Sequence, residues 1–177
     1  GKFTASAFKD LFMKETTATY RNAIYKAVFE KVTGEAPESF SNEYMQRGHE
    51  LEPFARKQYE VESFNTVEDA GFFELNEWVG ASPDGLIGSD GIVEIKCPAY
   101  STMIQYLIDQ KLPNQYKWQV YGQLWVTGRK WCDFMAYHPK LKPVIIRIKR
   151  DEIIIGELIT KVESCIDHAK RVINIIK

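Results

Sequence analysis

The spacing of apolar residues changes along this chain, and that pattern limits the folds open to it. From about Thr17, apolar positions recur at helical spacing, with Tyr20, Ala23, Ile24, Ala27 and Val28 on one stripe. Gly34 and then Pro37 mark its stop. Thr4 or Ser6 is expected to cap a short segment through Phe8, Leu11 and Phe12, and residues 41–61 read as one or two helices that Pro53 starts or kinks. From Thr66 the period shortens. Phe72-Phe73-Glu74-Leu75, Trp78-Val79-Gly80-Ala81, Gly85-Leu86-Ile87 and Ile92-Val93-Glu94-Ile95-Lys96 are separated by Gly, Asp, Asn and Pro and predict successive antiparallel strands. Helical spacing returns over 102–109 and 115–127, and strands are predicted over 130–137 and 144–149. Residues 151–177 place Ile155, Leu158, Val162, Ile166, Ala169 and Ile173 on one side of a long amphipathic helix. This order predicts a single mixed α/β domain over 1–177.

Composition narrows the function. The 177 residues are 45% hydrophobic and 27% charged, an ordinary globular balance. A net charge of −1 argues against nucleic-acid binding by bulk positive charge, so any such binding needs a local patch or metal ions. Cys97, Cys132 and Cys165 are odd in number and form no C-x-x-C pair, which disfavours a disulfide framework, a zinc site or an iron–sulfur cluster. His49, His138 and His168 are scattered. No run approaches the ~20 apolar residues of a membrane span, and no basic-then-apolar leader opens the chain. A reducing cytoplasm is the expected compartment.

The chemically informative stretch runs from Ser82 to Pro98. Alternation along a strand puts Glu94 and Lys96 on one face and Val93, Ile95 and Cys97 on the other. Ser89-Asp90-Gly91 reads as a three-residue hairpin loop with Gly91 left-handed, pairing Gly88 with Ile92, Leu86 with Glu94 and Asp84 with Lys96. Asp84, Glu94 and Lys96 would then share a face. Two close carboxylates repel unless a cation lies between them, and oxygen donors suit Mg²⁺ or Mn²⁺. Such an ion polarises a phosphoryl group and acidifies bound water, while the neighbouring ammonium orients that water. Alternating charges also simply solvate a strand, but the apolar brackets of this one indicate burial, where charges need partners.

Pro83-Asp84 followed by Glu94-Ile95-Lys96 resembles the PD-(D/E)XK nuclease signature. The longer run Ser82-Pro83-Asp84-Gly85-Leu86 … Glu94-Ile95-Lys96-Cys97-Pro98 is similar to lambda exonuclease and YqaJ-type viral recombinases. Arg47-Gly48-His49-Glu50-Leu51-Glu52 resembles that family's upstream glutamate helix, with Glu52 at the metal-ligand position. The run from Tyr116 to Gly128 resembles its glutamine-bearing helix, with Gln119 matching the active-site glutamine. Thr4-Ala5-Ser6 resembles its N-terminal segment, where Ser6, with Ser82, falls at serines that hold a 5′-phosphate. The family's phosphate-binding arginine would fall before Gly1.

The resemblance implies a PD-(D/E)XK restriction-endonuclease-like core, a central mixed sheet flanked by helices. It implies a Mg²⁺-dependent exonuclease, with Mn²⁺ substituting and two ions bound. Asp84, Glu94, the Ile95 carbonyl and Glu52 would hold metal, Lys96 would position the attacking water, and Gln119 would orient Lys96 or that water. Implied partners are double-stranded DNA ends, further copies in a ring-shaped trimer, and a single-strand annealing protein of a phage or prophage system. An endonuclease of the same superfamily and a non-catalytic DNA-binding module are the alternatives. Taken alone, Glu52 could be an exposed charge pairing with Arg56, Gln119 and Gln123 could face solvent, and Ser6 could be an N-cap. The basic positions Lys140, Lys142, Arg147, Lys149 and Arg150 fit a DNA backbone track and a strand's wet face equally.

Overall fold

A computed structural model describes residues 1–38 and 43–177. Its core is a four-stranded mixed sheet in the order β4 (Gly85–Ile87), β5 (Gly91–Lys96), β6 (Trp131–Ala136), β7 (Val144–Lys149). β4–β5 and β6–β7 are antiparallel, whereas β5–β6 is parallel. A parallel pair needs a crossover, here made by α4 (Tyr100–Asp109) and α5 (Lys117–Thr127). The first half contributes β1 (Phe3–Thr4), α1 (Phe8–Leu11), α2 (Ala18–Thr33), α3 (Glu43–Ser63), β2 (Phe73–Glu74) and β3 (Val79–Ala81). β1, β3 and β2 form a separate small sheet, so the predicted meander is split between two sheets. The chain leaves the small sheet at Ser82-Pro83-Asp84 and enters the main one at Gly85, where the main-chain groups of Leu86 also bond those of Glu68.

The strand β5 is buried on both faces because helices pack against each side of the sheet there. Val93 and Ile95 pack with Ala55 and Tyr59 of α3. Ile92, on the opposite face, packs with Met103 of α4 and Val120 and Leu124 of α5. A second core joins α1, α2, β3 and α6 (Glu152–Ile176) through Phe8, Leu11, Tyr20, Ile24, Val79, Leu158 and Val162. Gly34 closes α2 as predicted, Thr17 caps its start by accepting from the Tyr20 amide, and Asp151 caps α6 by accepting from the amides of Ile153 and Ile154. Among the described residues no helix is long and apolar enough to cross a membrane.

Several local expectations change. Neither Thr4 nor Ser6 caps a helix: Thr4 ends β1, Ser6 sits in the 3₁₀ turn Ala5–Ala7, and their hydroxyls lie 3.3 Å apart. Pro53 lies inside α3 and starts no second helix there, while Ser41 lies outside the described residues. The hairpin loop is Gly88-Ser89-Asp90, with Gly88 at φ +52°, and the pairs are Ile87↔Gly91, Leu86↔Ile92 and Gly85↔Val93. Gly91 belongs to β5, paired with Ile87 and Trp131, and the Trp131 ring takes the space a Cβ there would need, its nearest carbon 2.2 Å from that position. The slide changes the register by two residues, so each face keeps its side chains.

Asp133 is buried at 2% exposure on β6. Its carboxylate accepts two 2.8 Å bonds from Arg147 and one of 2.7 Å from the Tyr59 hydroxyl, tying β7 and α3 to the sheet. Arg147 also stacks on Trp131 at 3.7 Å. Arg150 pairs with Glu152 and donates to the Leu124 carbonyl. Of the expected basic track, Lys140, Lys142 and Lys149 are exposed, while the two arginines are engaged in holding the fold.

Candidate active site

β5 delivers Glu94 and Lys96 to one end of the sheet, where the Lys96 ammonium lies 2.6 Å from Glu94 Oε1. Asp84, just before β4, reaches the same end. Its Oδ2 accepts a 2.6 Å hydrogen bond from the Ile95 amide, and its own amide donates to the Val93 carbonyl. Arg56 of α3 anchors the turn from outside, donating 2.6 Å bonds to the Asp84 carbonyl and to Asp69 Oδ1. The predicted Glu52–Arg56 pairing is therefore replaced by a link from α3 to the Asp84 backbone. Its reason is reach: the guanidinium fork meets a fixed carbonyl and a carboxylate at once.

Glu94 is 1% exposed, and every donor around it comes from the protein. Gln119 Nε2 donates to its Oε1 at 2.6 Å, and Gln123 Nε2 donates to its Oε2 at 2.6 Å. The two glutamines lie one turn apart on α5, so neither takes the solvent-facing alternative. Gln119 contacts the carboxylate oxygen that Lys96 also holds. The face is set by Gly122, whose missing Cβ admits the Phe8 ring, with carbons 2.5 and 2.6 Å from that position. Trp118 and Trp125 pack on Phe12 and Phe8, with ring centroids at 3.8 and 6.1 Å, and so serve the core.

Above this cluster opens a cavity of about 470 Å³ lined by Gly48, His49, Glu52, Asp84, Ile95, Lys96, Cys97 and Tyr116, among others. α3 brings Glu52 to one wall and the start of α5 brings Tyr116 to the other. The Tyr116 ring lies 5.2 Å from the Lys96 ammonium. Burial, then the Glu94 charge, push the Asp84 carboxyl up to about 8 against the opposing pull of the Ile95 amide and Lys96. Burial opposes the Lys96 charge, but Glu94 and then Asp84 outweigh it and raise its pKa above the usual lysine value. Burial, followed by Glu52, raises the Cys97 thiol to about 11, so it stays protonated at neutral pH.

The donor set suits a hard cation: two carboxylates on adjoining segments, one of them raised by burial and by the charge of the other, with main-chain oxygen beside them. Glu52 lines the same cavity and its negative charge pushes the Asp84 carboxyl further up, but among the described residues no three carboxylate, imidazole or thiol side chains converge on one point. Ser6, in the 3₁₀ turn, and Ser82, two residues before Asp84, bond to other partners than the Asp84–Glu94 pair, Ser6 approaching the Thr4 hydroxyl. Ser82 is exposed at the exit from β3 and donates to the Gly71 carbonyl at 3.1 Å. Sequence reasoning passed over Arg56 and Gln123 as site residues; for Gln123 the available signal was its four-residue spacing from Gln119.

A central mixed sheet with two acidic residues and a lysine at one end of a hairpin is the architecture of PD-(D/E)XK nucleases. Residues 1–130 match the YqaJ-like viral recombinase domain, and the chain belongs to that family. The structure is similar to that of LHK-Exo, an alkaline exonuclease from Laribacter hongkongensis, at 34% identity and a TM-score of 0.91, covering 99% of this chain and 91% of that one. LHK-Exo in complex with dAMP matches at 35% identity and a TM-score of 0.92 with the same coverage. A phage-related exonuclease from Haemophilus somnus 129PT shares the fold at 17% identity and a TM-score of 0.78, over 100% of this chain and 97% of that one. No curated protein matches the chain.

Proposed function

We propose that this protein is a divalent-metal-dependent deoxyribonuclease that degrades one strand of linear duplex DNA from the 5′ end, leaving 3′ overhangs for phage-type recombination. The observation that carries this reading is the juxtaposition of Asp84, Glu94 and Lys96 beneath an open cavity in a YqaJ-family chain whose similar structures include exonucleases.

Asp84, Glu94 and the Ile95 carbonyl would hold Mg²⁺ or Mn²⁺, and Glu52 would face a second ion across the cavity. A bound cation supplies Lewis acidity toward the scissile phosphate and lowers the pKa of water. The chain's own groups do the rest. Lys96 presents a cation whose protonation the carboxylates secure, able to orient the attacking water and offset charge developing on phosphate. Gln119 holds Glu94 on the oxygen shared with Lys96, fixing the relative placement of the carboxylate and the ammonium. Ser6 and Ser82 would receive the terminal 5′-phosphate. Assembly into a ring would hold DNA by enclosure, which suits a net charge near zero, and a single-strand annealing protein would take up the exposed strand.

The test is incubation with linear and covalently closed duplex, with Mg²⁺ and with chelator. Shortening of linear DNA alone, from a 5′-labelled strand and only with metal, is the expected result. Cutting of closed circles would indicate an endonuclease, and inertness on both substrates a binding module.

A further inference from the structure

We infer that Gln123 is a positioning residue of the metal site, locking the plane of the Glu94 carboxylate; this rests on the nuclease reading above. Gln123 is 1% exposed, deep beneath the cavity and not on its wall. Its Nε2 donates to Glu94 Oε2 at 2.6 Å. Its Oε1 is buried without any hydrogen-bond partner among the described residues. An unpaired buried amide oxygen carries a desolvation penalty that leucine or methionine at this core position would not incur. The side chain is therefore poorly explained by packing and well explained by its donor.

That donor answers a specific geometric need. Lys96 and Gln119 both bond Oε1, so on their own they leave the carboxylate able to swing about that oxygen. A third donor on Oε2 removes the swing. Because Gln119 and Gln123 are successive turns of one helix, they hold the two oxygens as a clamp with a fixed bite. The amide orientation is also fixed: reversed, Oε1 would face Glu94 Oε2 with two acceptors in contact. Hydrogen-bonding partners behind a metal-ligating carboxylate commonly govern affinity and rate by about 10–100-fold.

The experiment compares wild type with Gln123→Met and Gln123→Leu, which fill the core position with an apolar side chain and remove the amide donor. It measures Mn²⁺ binding by calorimetry in the absence of DNA, then kcat and KM on linear duplex, with thermal melts as control. For both variants we expect Mn²⁺ affinity and kcat to fall by about tenfold or more, with KM for DNA within about twofold. The substitutions remove the unpaired oxygen but also a donor to the buried Glu94, so both readouts are taken at a temperature where the melts show each variant fully folded. Wild-type Mn²⁺ affinity and kcat in Gln123→Met would overturn the inference, as would losses that simply track a lower melting temperature. If Gln123→Met fails to fold, Gln123→Leu decides by the same two readouts. Wild type that neither binds Mn²⁺ nor cuts DNA would instead overturn the nuclease reading, and the inference with it.

Discussion

Asp84 and Ile95 are joined by a hydrogen bond from the Ile95 amide to the Asp84 carboxylate. A side-chain oxygen thus caps the main chain just beyond the last β4–β5 pair, Gly85↔Val93. Asp84 is held by its carboxylate, by its amide to Val93 and by its carbonyl to Arg56. A residue fixed at three points presents its remaining oxygen to the cavity with little freedom, which is what a preorganised ligand requires.

Lys96→Ala removes the ammonium from the carboxylate pair. Single-turnover cleavage should slow by about 10²–10⁴-fold, the usual span for a group acting on proton or charge transfer. DNA binding, read by gel shift in Ca²⁺ or chelator, should change little, because the role proposed for Lys96 is on the water and not in holding the duplex. Near-normal cleavage would remove Lys96 from the chemistry.

The raised Asp84 carboxyl predicts how the metal-free protein responds to pH. Its folded value of about 8 exceeds the ordinary 3.8, so between them the folded state keeps a proton that the unfolded chain has released. Stability from this group is therefore lost as pH rises from about 4 to about 8. Melts in chelator across that range should show this decline, Asp84→Asn should flatten it, and Mn²⁺ should protect wild type most at the alkaline end. A metal-free melting temperature that rose steadily to pH 8 in wild type, and equally in Asp84→Asn, would contradict the assignment.

Tyr59→Phe deletes the hydroxyl that donates to buried Asp133 at 2.7 Å. Arg147 still holds both carboxylate oxygens, so the loss should be about 1–3 kcal/mol in urea unfolding, without collapse of the fold. Cleavage should be affected less than stability, because Asp133 lies outside the Asp84–Glu94–Lys96 cluster.

Gly122→Ala places a methyl group within 2.5 Å of the Phe8 ring. The ring or α5 must shift, with an expected cost of about 1–3 kcal/mol. Because Gln119 and Gln123 ride on that helix, kcat should fall more than a stability loss of this size explains at a temperature where the variant is fully folded. Unchanged kcat would mean the helix absorbs the methyl without moving its glutamines.

Much of this protein was readable from its sequence. Strand alternation determined that Glu94 and Lys96 share a face, Val144–Lys149 was recognisable as a strand, and the ordered motifs from Ser6 to Gln119 identified the family. These features are local: the direction of a side chain follows from its place in an element, and motif spacing from the chain itself. The tertiary structure decided what lies between elements. It placed the loop at Gly88-Ser89-Asp90 and paired Gly91 with Trp131, sent Arg56 to the Asp84 carbonyl, ran β5 parallel to β6, and turned Gln123 inward onto Glu94. Each depends on which surfaces pack together, and packing distance between segments remote in sequence is not written in the spacing of either one.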